Sequence, residues 1–492
     1  VGHPHRRWSR AGAASDPTAM NPAGRQPAKL AGLVASGIES DIIERGWPVG
    51  QVIGSEAELL DRYAVSRGVL REAVRLVEHK QVARMRRGRG GGLVVTAPDE
   101  GPAVDAVAVY VRYADVTLSE LFEARKIVEG AATELASAAL TETDIAELRA
   151  GHESDPAPSA TADQDPHELH RMIGRLSANP ALDLFSIVLT RLTALYVGSV
   201  RVSPAGRRQG RQASTADHTA IVDALLGGNA QLAVHHMHRH LDGLEEFLRR
   251  RRASQSVDSE LLGFRTRDAR SKRGEDLART VFREVAQRGW PVGEVLGSET
   301  DLVERYGVSR AVLREAARLL EFHQIASMRR GPGGGLVVTE PGLGAIVDTM
   351  TLCLEYRGIE PRHLYEARVA LELATVEMTT VRLDEHGAVA LHAGLRQERA
   401  DGDADLNEVG HDVHLLIGSL SGNRLLDLFL RIVVQLSANH TPPPRTRRSR
   451  ASVAAEVHRT HDLIVEAIVA GDAALARHRT QRHLAALVPW YA

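Results

Sequence analysis

The chain is written twice. RGWPVG at Arg45 to Gly50 returns at Arg288 to Gly293, SRGVLREAVRLVE from Ser66 returns as SRAVLREAARLLE from Ser309, and MRRGRGGGLVVT from Met85 returns as MRRGPGGGLVVT from Met328. Between Arg45 to Thr96 and Arg288 to Thr339, 37 of 52 positions are identical at one constant offset. That reads as the duplication of one unit rather than an array of short repeats. The likeness continues more weakly: LSELFEARKIVEGAATELA from Leu118 parallels HLYEARVALELATVEM from His363, and HRMIGRLSANPALDLF from His170 parallels HLLIGSLSGNRLLDLF from His414. Each unit therefore holds a small module and a larger one, and whatever one unit folds into, the chain must accommodate twice.

With 492 residues the chain is long enough for several cores. The repeat, read with the composition along the chain, predicts a disordered tail over 1–28, a small module over 29–98 and a larger one over 99–250. A charged linker over 251–273 follows, then a second small module over 274–341 and a second larger one over 342–492. GHESDPAPSATADQDP from Gly151 and TPPPRTRRSR from Thr441 read as loops, because Pro, Gly and Ser interrupt the helical pattern. Aromatic residues make up only 4%, so Leu, Val, Ala and Ile must build the interior, which favours helices over a sandwich. Lys and Arg number 61 against 63 Asp and Glu, so any surface for a polyanion must be local rather than global. One cysteine, Cys353, rules out an intrachain disulfide framework and fits a reducing compartment. No run of 18 apolar residues occurs, and the Arg- and Pro-rich start lacks the apolar stretch of a secretory signal. A cytoplasmic chain with no membrane partner is the expectation.

In the small module, Pro48-Val49-Gly50 breaks a first helix, and Ser55 to Glu58 has the spacing of a capping box that opens a short second one. After a turn at Ala64-Val65, Ser66 caps a third helix whose apolar positions Val69, Ala73, Leu76 and Val77 keep helical spacing. Its other face carries Arg67, Arg71 and Arg75, four residues apart and so on one ridge. The second copy repeats the cap as Ser309 and the ridge as Arg310, Arg314 and Arg318. Downstream, Val82 to Met85 and Leu93 to Thr96 are strand-like and flank Arg86, Arg87, Arg89 and a run of glycines, a hairpin whose counterpart carries Arg329 and Arg330. Two short helices joined by a tight turn, the second capped and arginine-faced, form the helix-turn-helix pattern, and the hairpin adds a basic wing. A lone arginine ridge would more simply be a solvated helix face; the conjunction of cap, turn and wing is what points to DNA. The glycine run is not a phosphate loop: it leads into a strand, and no GK[ST] follows.

These residues carry a resemblance. Both small modules resemble the winged helix-turn-helix of GntR-type bacterial regulators, through VGQVIGSEAEL, AVSRGVLREA and RRGRGGGLVV. The resemblance implies that Arg67, Arg71, Arg310 and Arg314 touch operator DNA together with wing residues. Ala57 and Thr300 stand where that family usually has an arginine after the SE pair, so one expected contact is missing from each copy. The larger modules read as successive amphipathic helices and resemble the FCD ligand-binding domain of the FadR subgroup. The fold class that follows is mainly α, with two winged helix-turn-helix domains each followed by an all-α bundle.

Within the bundles, His218 and His240 are 22 residues apart and His461 and His483 repeat that spacing, while His170 and His414 precede the Asn179 and Asn423 turns. Three histidines on three helices can converge on one interior point and hold a transition metal such as zinc. The chain has 22 histidines, most of which need no ligand, and duplication alone would copy a triplet. The FCD resemblance implies an additional acid four residues before the first histidine, but Pro166 and Gly410 occupy those places. Two readings stay open: a four-histidine site completed by His167 and His411, or weak or absent metal; Asp163 or Asp412 could also supply an oxygen. Arg125 and Arg368 lie in the shared EAR sequence. They either pair with Glu129 and Glu372 one turn on or face a pocket where they bind an effector carboxylate.

The function read from these signals is an effector-responsive regulator, with a double-stranded DNA operator and a small organic acid as partners. Its two reader and sensor units would form an intrachain pseudo-dimer on a bipartite operator, with further oligomerisation left open. The rival is a metal-dependent hydrolase that uses the histidines, with the winged modules as interaction domains. No unambiguous general base or nucleophile pair accompanies the histidines, and an enzyme has no use for two basic wings.

Overall fold

A computed structural model describes residues 27–88, 90–153, 168–198, 204–252, 272–329, 331, 333–401, 406–440 and 447–487. Residues 1–26 of the predicted tail, most of the predicted linker and the wing residues Arg89 and Arg330 lie outside the described residues, while the last two residues of the predicted tail already belong to a helix. The chain divides into two compact units, Val1–Ala97 and Pro98–Ala492.

In the first unit, α1 (Pro27–Glu44) is followed by β1 (Val52–Gly54), α2 (Glu56–Tyr63), α3 (Arg67–His79), β2 (Ala83–Arg86) and β3 (Gly92–Val95). Ser55 caps α2 in a full capping box with Glu58. The turn to α3 passes through Ala64 in the left-handed region, at φ 49°. Ser66 caps α3, its hydroxyl accepting from the Val69 amide. The helix buries Leu70, Ala73, Val74 and Val77; Val69 and Leu76, expected in the core, lie at its margin. The strands run one residue from the expected bounds and gain a partner that periodicity did not show. β1 pairs antiparallel with β3, which pairs with β2, giving the order β1-β3-β2. That third strand requires Gly92, whose φ of 151° brings its backbone so close to Gly54 that an added Cβ would sit 2.5 Å from the Gly54 carbonyl oxygen.

The second unit begins with seven helices: α4 (Gly101–Tyr113), α5 (Leu118–Ala139), α6 (Glu142–Glu153), α7 (Glu168–Leu176), α8 (Pro180–Gly198), α9 (Pro204–Leu226) and α10 (Ala230–Arg252). Then α11 (Lys272–Gln287), α12 (Glu299–Tyr306), α13 (Arg310–Phe322), β4 (Ala326–Arg329) and β5 (Gly335–Val338) repeat the element order of the first unit. Here the third strand is reduced to a single bridge, Val295 to Val337. Trp47 and Trp290 donate in the same way, each indole 2.9 Å from a threonine carbonyl, Thr96 and Thr339. The chain closes with α14 (Leu343–Tyr356), α15 (Pro361–Arg382), α16 (Glu385–Asp401), α17 (Leu406–Leu420), α18 (Arg424–His440), α19 (Arg447–Val469) and α20 (Ala473–Leu487). Two expected loops are shorter than read: α6 continues through Gly151 to Glu153, and α19 already begins at Arg447.

The two helical bundles share one interior. A continuous core runs from Val104 and Phe122 of the first bundle to Leu364 and Phe429 of the second. Helix α5 packs on α15 and α18, and α15 packs on α8. Phe185 and Phe429, equivalent in the repeat, stack at 4.2 Å with rings 6° from parallel. About that point the contacts are reciprocal. The Asn179 side-chain amide donates to the His363 carbonyl and Glu366, while that of Asn423 donates to the Glu120 carbonyl and Glu123. Each asparagine also accepts from the first amides of α8 or α18, so one side chain caps its own helix and joins the two bundles. Helix α4 reaches the second small module: Arg112 donates to the Ala286 carbonyl, Tyr113 to Glu340, and the Tyr113 ring meets Trp290 edge-on at 5.4 Å.

Candidate nucleic-acid interface and metal centre

The capped helices present the arginines predicted from spacing. Arg67, Arg71 and Arg75 on α3, with Ser66 at its start, are exposed, as are Arg310, Arg314 and Arg318 on α13 with Ser309. Apolar residues anchor the opposite face of each helix, so the ridge cannot turn inward without breaking the core. Glutamates from the preceding helix steady it: Glu56 accepts from Arg71 at 3.3 Å and Glu299 from Arg314 at 3.0 Å. Arg75 pairs with Glu72 and Arg318 with Glu315 on their own helices. At the hairpins, Arg86, Arg87 and Arg329 are exposed. Arg86 donates to the Gly90 carbonyl and Arg329 to that of Gly333, each bracing its own wing.

In each bundle the three histidines converge. His170, His218 and His240 form one group and His414, His461 and His483 the other, with candidate ligand atoms all within 4.8 Å of one another. In the second group, the Nε2 of His461 lies 3.1 Å from that of His414 and 3.4 Å from that of His483. Nitrogens bound to one ion at about 2.0–2.1 Å stand at about that separation. His167 lies outside the described residues, and of the side chains of His411 and Asp412 nothing is described.

Among the described residues no acid joins either histidine group as a candidate ligand; acids instead stand behind the histidines. Glu129 on α5 lies 2.5 Å from His170 Nδ1, and Glu372 on α15 lies 2.7 Å from His414 Nδ1. His461 Nδ1 meets Glu398 at 2.7 Å, and His240 Nδ1 lies 3.5 Å from Asp217. A carboxylate behind one ring nitrogen fixes the tautomer and aims the other nitrogen, which is the outer-shell arrangement of metal-binding histidines. Glu129 and Glu372 were visible in the sequence only as partners of the EAR arginines. Asp217 and Glu398 carried no spacing signal.

The plainer reading of EAR is present in both copies. Arg125 donates from Nε to Glu129 at 2.5 Å, and Arg368 donates to Glu372. Arg125 also donates to Thr193 and approaches His170 Nδ1 at 3.4 Å. Each arginine is buried, and each lines the wall of its histidine group with its guanidinium engaged. Burial pushes the Glu129 and Glu372 carboxyls up, but the adjacent guanidinium and imidazole outweigh it and hold both well below the usual carboxylate range. Burial also lowers His170 and His414 from the ordinary imidazole value, and takes His483 down to about 2. Neutral imidazoles with carboxylates behind them are the form in which histidine binds a metal, so the residues fit a divalent transition ion.

Two family profiles match. The profile described as "Bacterial regulatory proteins, gntR family" covers residues 30–92, and that of the FCD domain covers 120–243 and 363–486. The chain belongs to the GntR family, in the branch that carries FCD domains. Similar curated proteins include the Uxu operon regulator of Haemophilus influenzae, 26% identical over 152 residues that make up 30% of this chain and 55% of the relative. The Exu regulon transcriptional regulator of Escherichia coli is 27% identical, over 32% of this chain and 60% of the relative. The HTH-type transcriptional regulator LutR of Bacillus subtilis is 25% identical, over 39% of this chain and 89% of the relative. The match thus spans little more than half the length of the first two relatives. Among solved structures, a GntR protein of Streptococcus agalactiae aligns with 44% of this GntR-family chain and 98% of its own, at 22% identity and a TM-score of 0.35. Among the described residues no helix is long and apolar enough to cross a membrane.

Proposed function

We propose that this GntR-family protein is a cytoplasmic, FadR-like transcriptional regulator that reads a bipartite operator with two helix-turn-helix readers on one polypeptide and answers to a small organic acid. The observation that carries the reading is the exposed arginine ridge on a Ser-capped helix, met twice with the same glutamate brace and followed each time by a basic hairpin. Arginine's planar fork can pair with phosphate oxygens or with the two acceptors of a guanine edge. The braces Glu56–Arg71 and Glu299–Arg314 are exposed ion pairs, worth no more than about 1 kcal/mol. They preorganise the ridge and are readily exchanged for DNA.

Two readers on one chain replace the usual dimer: once the first is seated, the second is held at high local concentration over its half-site. A divalent ion such as zinc would be held by His170, His218 and His240 in one bundle and by His414, His461 and His483 in the other. It would supply a Lewis-acid position for an effector oxygen. Arg125 and Arg368 serve that site from its wall by keeping Glu129 and Glu372 ionised and in place behind His170 and His414. The rival hydrolase reading finds no support among the relatives.

The test is a binding titration against duplex DNA from the protein's own upstream region. Arg67→Ala with Arg310→Ala is expected to weaken binding at least tenfold, since each lost bidentate contact costs about 1–3 kcal/mol. Unchanged affinity would overturn the assignment of the reading face.

A further inference from the structure

The two bundles meet through equivalent surfaces, yet the charges across that junction are not shared equally. Among the described residues, three arginines pair with acids across it, and all three come from the second half. Arg424 grips Glu120 with a two-pronged contact, Nε to Oε1 at 2.8 Å and Nη2 to Oε2 at 2.7 Å, while its other donors reach the Ala114 and Asp115 carbonyls. Arg382 pairs with Glu123 at 2.6 Å. Arg357 pairs with Asp183 at 2.6 Å and lies 3.8 Å from Glu100. Every acid in the set belongs to the first half.

The repeat shows what each position would face in a pairing of like with like. Pro180, Ala139 and Ala114 stand where the second half has Arg424, Arg382 and Arg357. Two first halves together would leave Glu120, Glu123 and Asp183 without any of the three cations, and Glu120 is buried. A buried carboxylate that loses its partner carries its full desolvation cost. Two second halves would set Arg424 against His363, which stands at the Glu120 position. Arg357 and Arg382 would face Asp427 and Glu366, which Arg431 and Arg362 of their own helices already occupy.

We propose that this junction is heterotypic: the surface of the first bundle is built to take the second bundle and rejects a copy of itself, and Glu120 with Arg424 is the principal specificity pair. The proposal rests on the intrachain pairing of the two units and goes beyond it by naming which residues select the partner. Glu120 suits this role because it is fixed from both sides. It caps α5 through the Thr117 amide and hydroxyl, so its carboxylate stands in place before Arg424 arrives.

The experiment is a charge-swap cycle on the full-length chain, read by thermal unfolding and by light scattering after size exclusion. Glu120→Arg and Arg424→Glu are each expected to lower Tm by about 4 °C or more, and the double variant to recover at least half of the loss, as coupled neighbours do. The same cycle at Glu123 and Arg382, where the acid is more exposed than Glu120, keeps the test alive if the first pair does not tolerate reversal. A double variant no better than the worse single one, in both cycles, overturns the proposal even if the wild-type chain scatters as a 53.4 kDa monomer. Rescue in a chain that scatters as a two-chain species would instead place the heterotypic contact between chains, sinking the intrachain reading and keeping the specificity pair.

Discussion

A proton and the proposed divalent ion would compete for the same imidazoles. His170, His414 and His483 are held below their ordinary pKa, chiefly by burial. In the unfolded chain they protonate near pH 6.5, whereas the folded chain resists. Their contribution is therefore complete above that pH and is lost as pH falls toward the depressed folded values, at up to about 1.4 kcal/mol per pH unit for each group. Urea unfolding of metal-free protein is expected to show a lower midpoint at pH 5.5 than at pH 7.5, and an unchanged midpoint would refute the neutral assignment. Glu129→Gln leaves the Arg125 charge buried without its counter-ion, so a loss of about 3–5 kcal/mol is expected in the same assay. The histidine triplets were legible because spacing conserved between two copies of a bundle points to one interior place. Their carboxylate partners were not, since Glu398 sits 63 residues from His461 and only the packing of α16 against α19 joins them.

Among the elements, the Ser-capped, arginine-faced helices α3 and α13 were the most legible, because capping and helical spacing are local. The three-stranded wing was not. β1 is three residues long and is defined by its partner, and the need for Gly92 and Gly335 arises from a neighbouring segment distant in sequence. Gly335 lies even closer to the opposing Gly297 carbonyl than Gly92 does to Gly54. Gly92→Ala or Gly335→Ala must push that neighbour away as well as strain a positive φ, at a cost of about 1–3 kcal/mol. A lower Tm with DNA affinity reduced is the expected result, and an unaltered melt would show that the wing does not need the close approach. Ser66→Ala and Ser309→Ala remove caps, and each should cost about 1 kcal/mol of stability by chemical denaturation. The loops at Gly151 and Thr441 were placed too long: α6 continues past a glycine, and four residues counted as loop already belong to α19.

At the scale of the whole molecule, the duplication announced two units, but their manner of joining was hidden. Asn179 and Asn423 looked like turn residues, and their part in tying one bundle to the other needs the fold to be seen. Metal analysis of purified protein should find up to two ions per chain, and His218→Ala with His461→Ala should abolish both occupancy and any rise of Tm on adding zinc. Occupancy that survives the substitution would point to other ligands. Acid should also loosen the junction. Burial raises the Glu120 carboxyl, but hydrogen bonds from Arg424 and the Thr117 amide prevail and bring it to about 2. Its stabilisation is intact above about pH 4.5 and fades as pH falls toward 2.

The one-sided allotment of arginines has an evolutionary meaning. In a symmetric homodimer every substitution at the shared surface is made twice and must tolerate its own mirror image. Fusing two copies into one gene lifts that restriction: a cation can arise on one side and an anion on the other without either ever confronting itself. Positions that a symmetric ancestor would keep bland become free to specialise, and on the proposed function the same freedom would extend to the half-site and the effector of each copy.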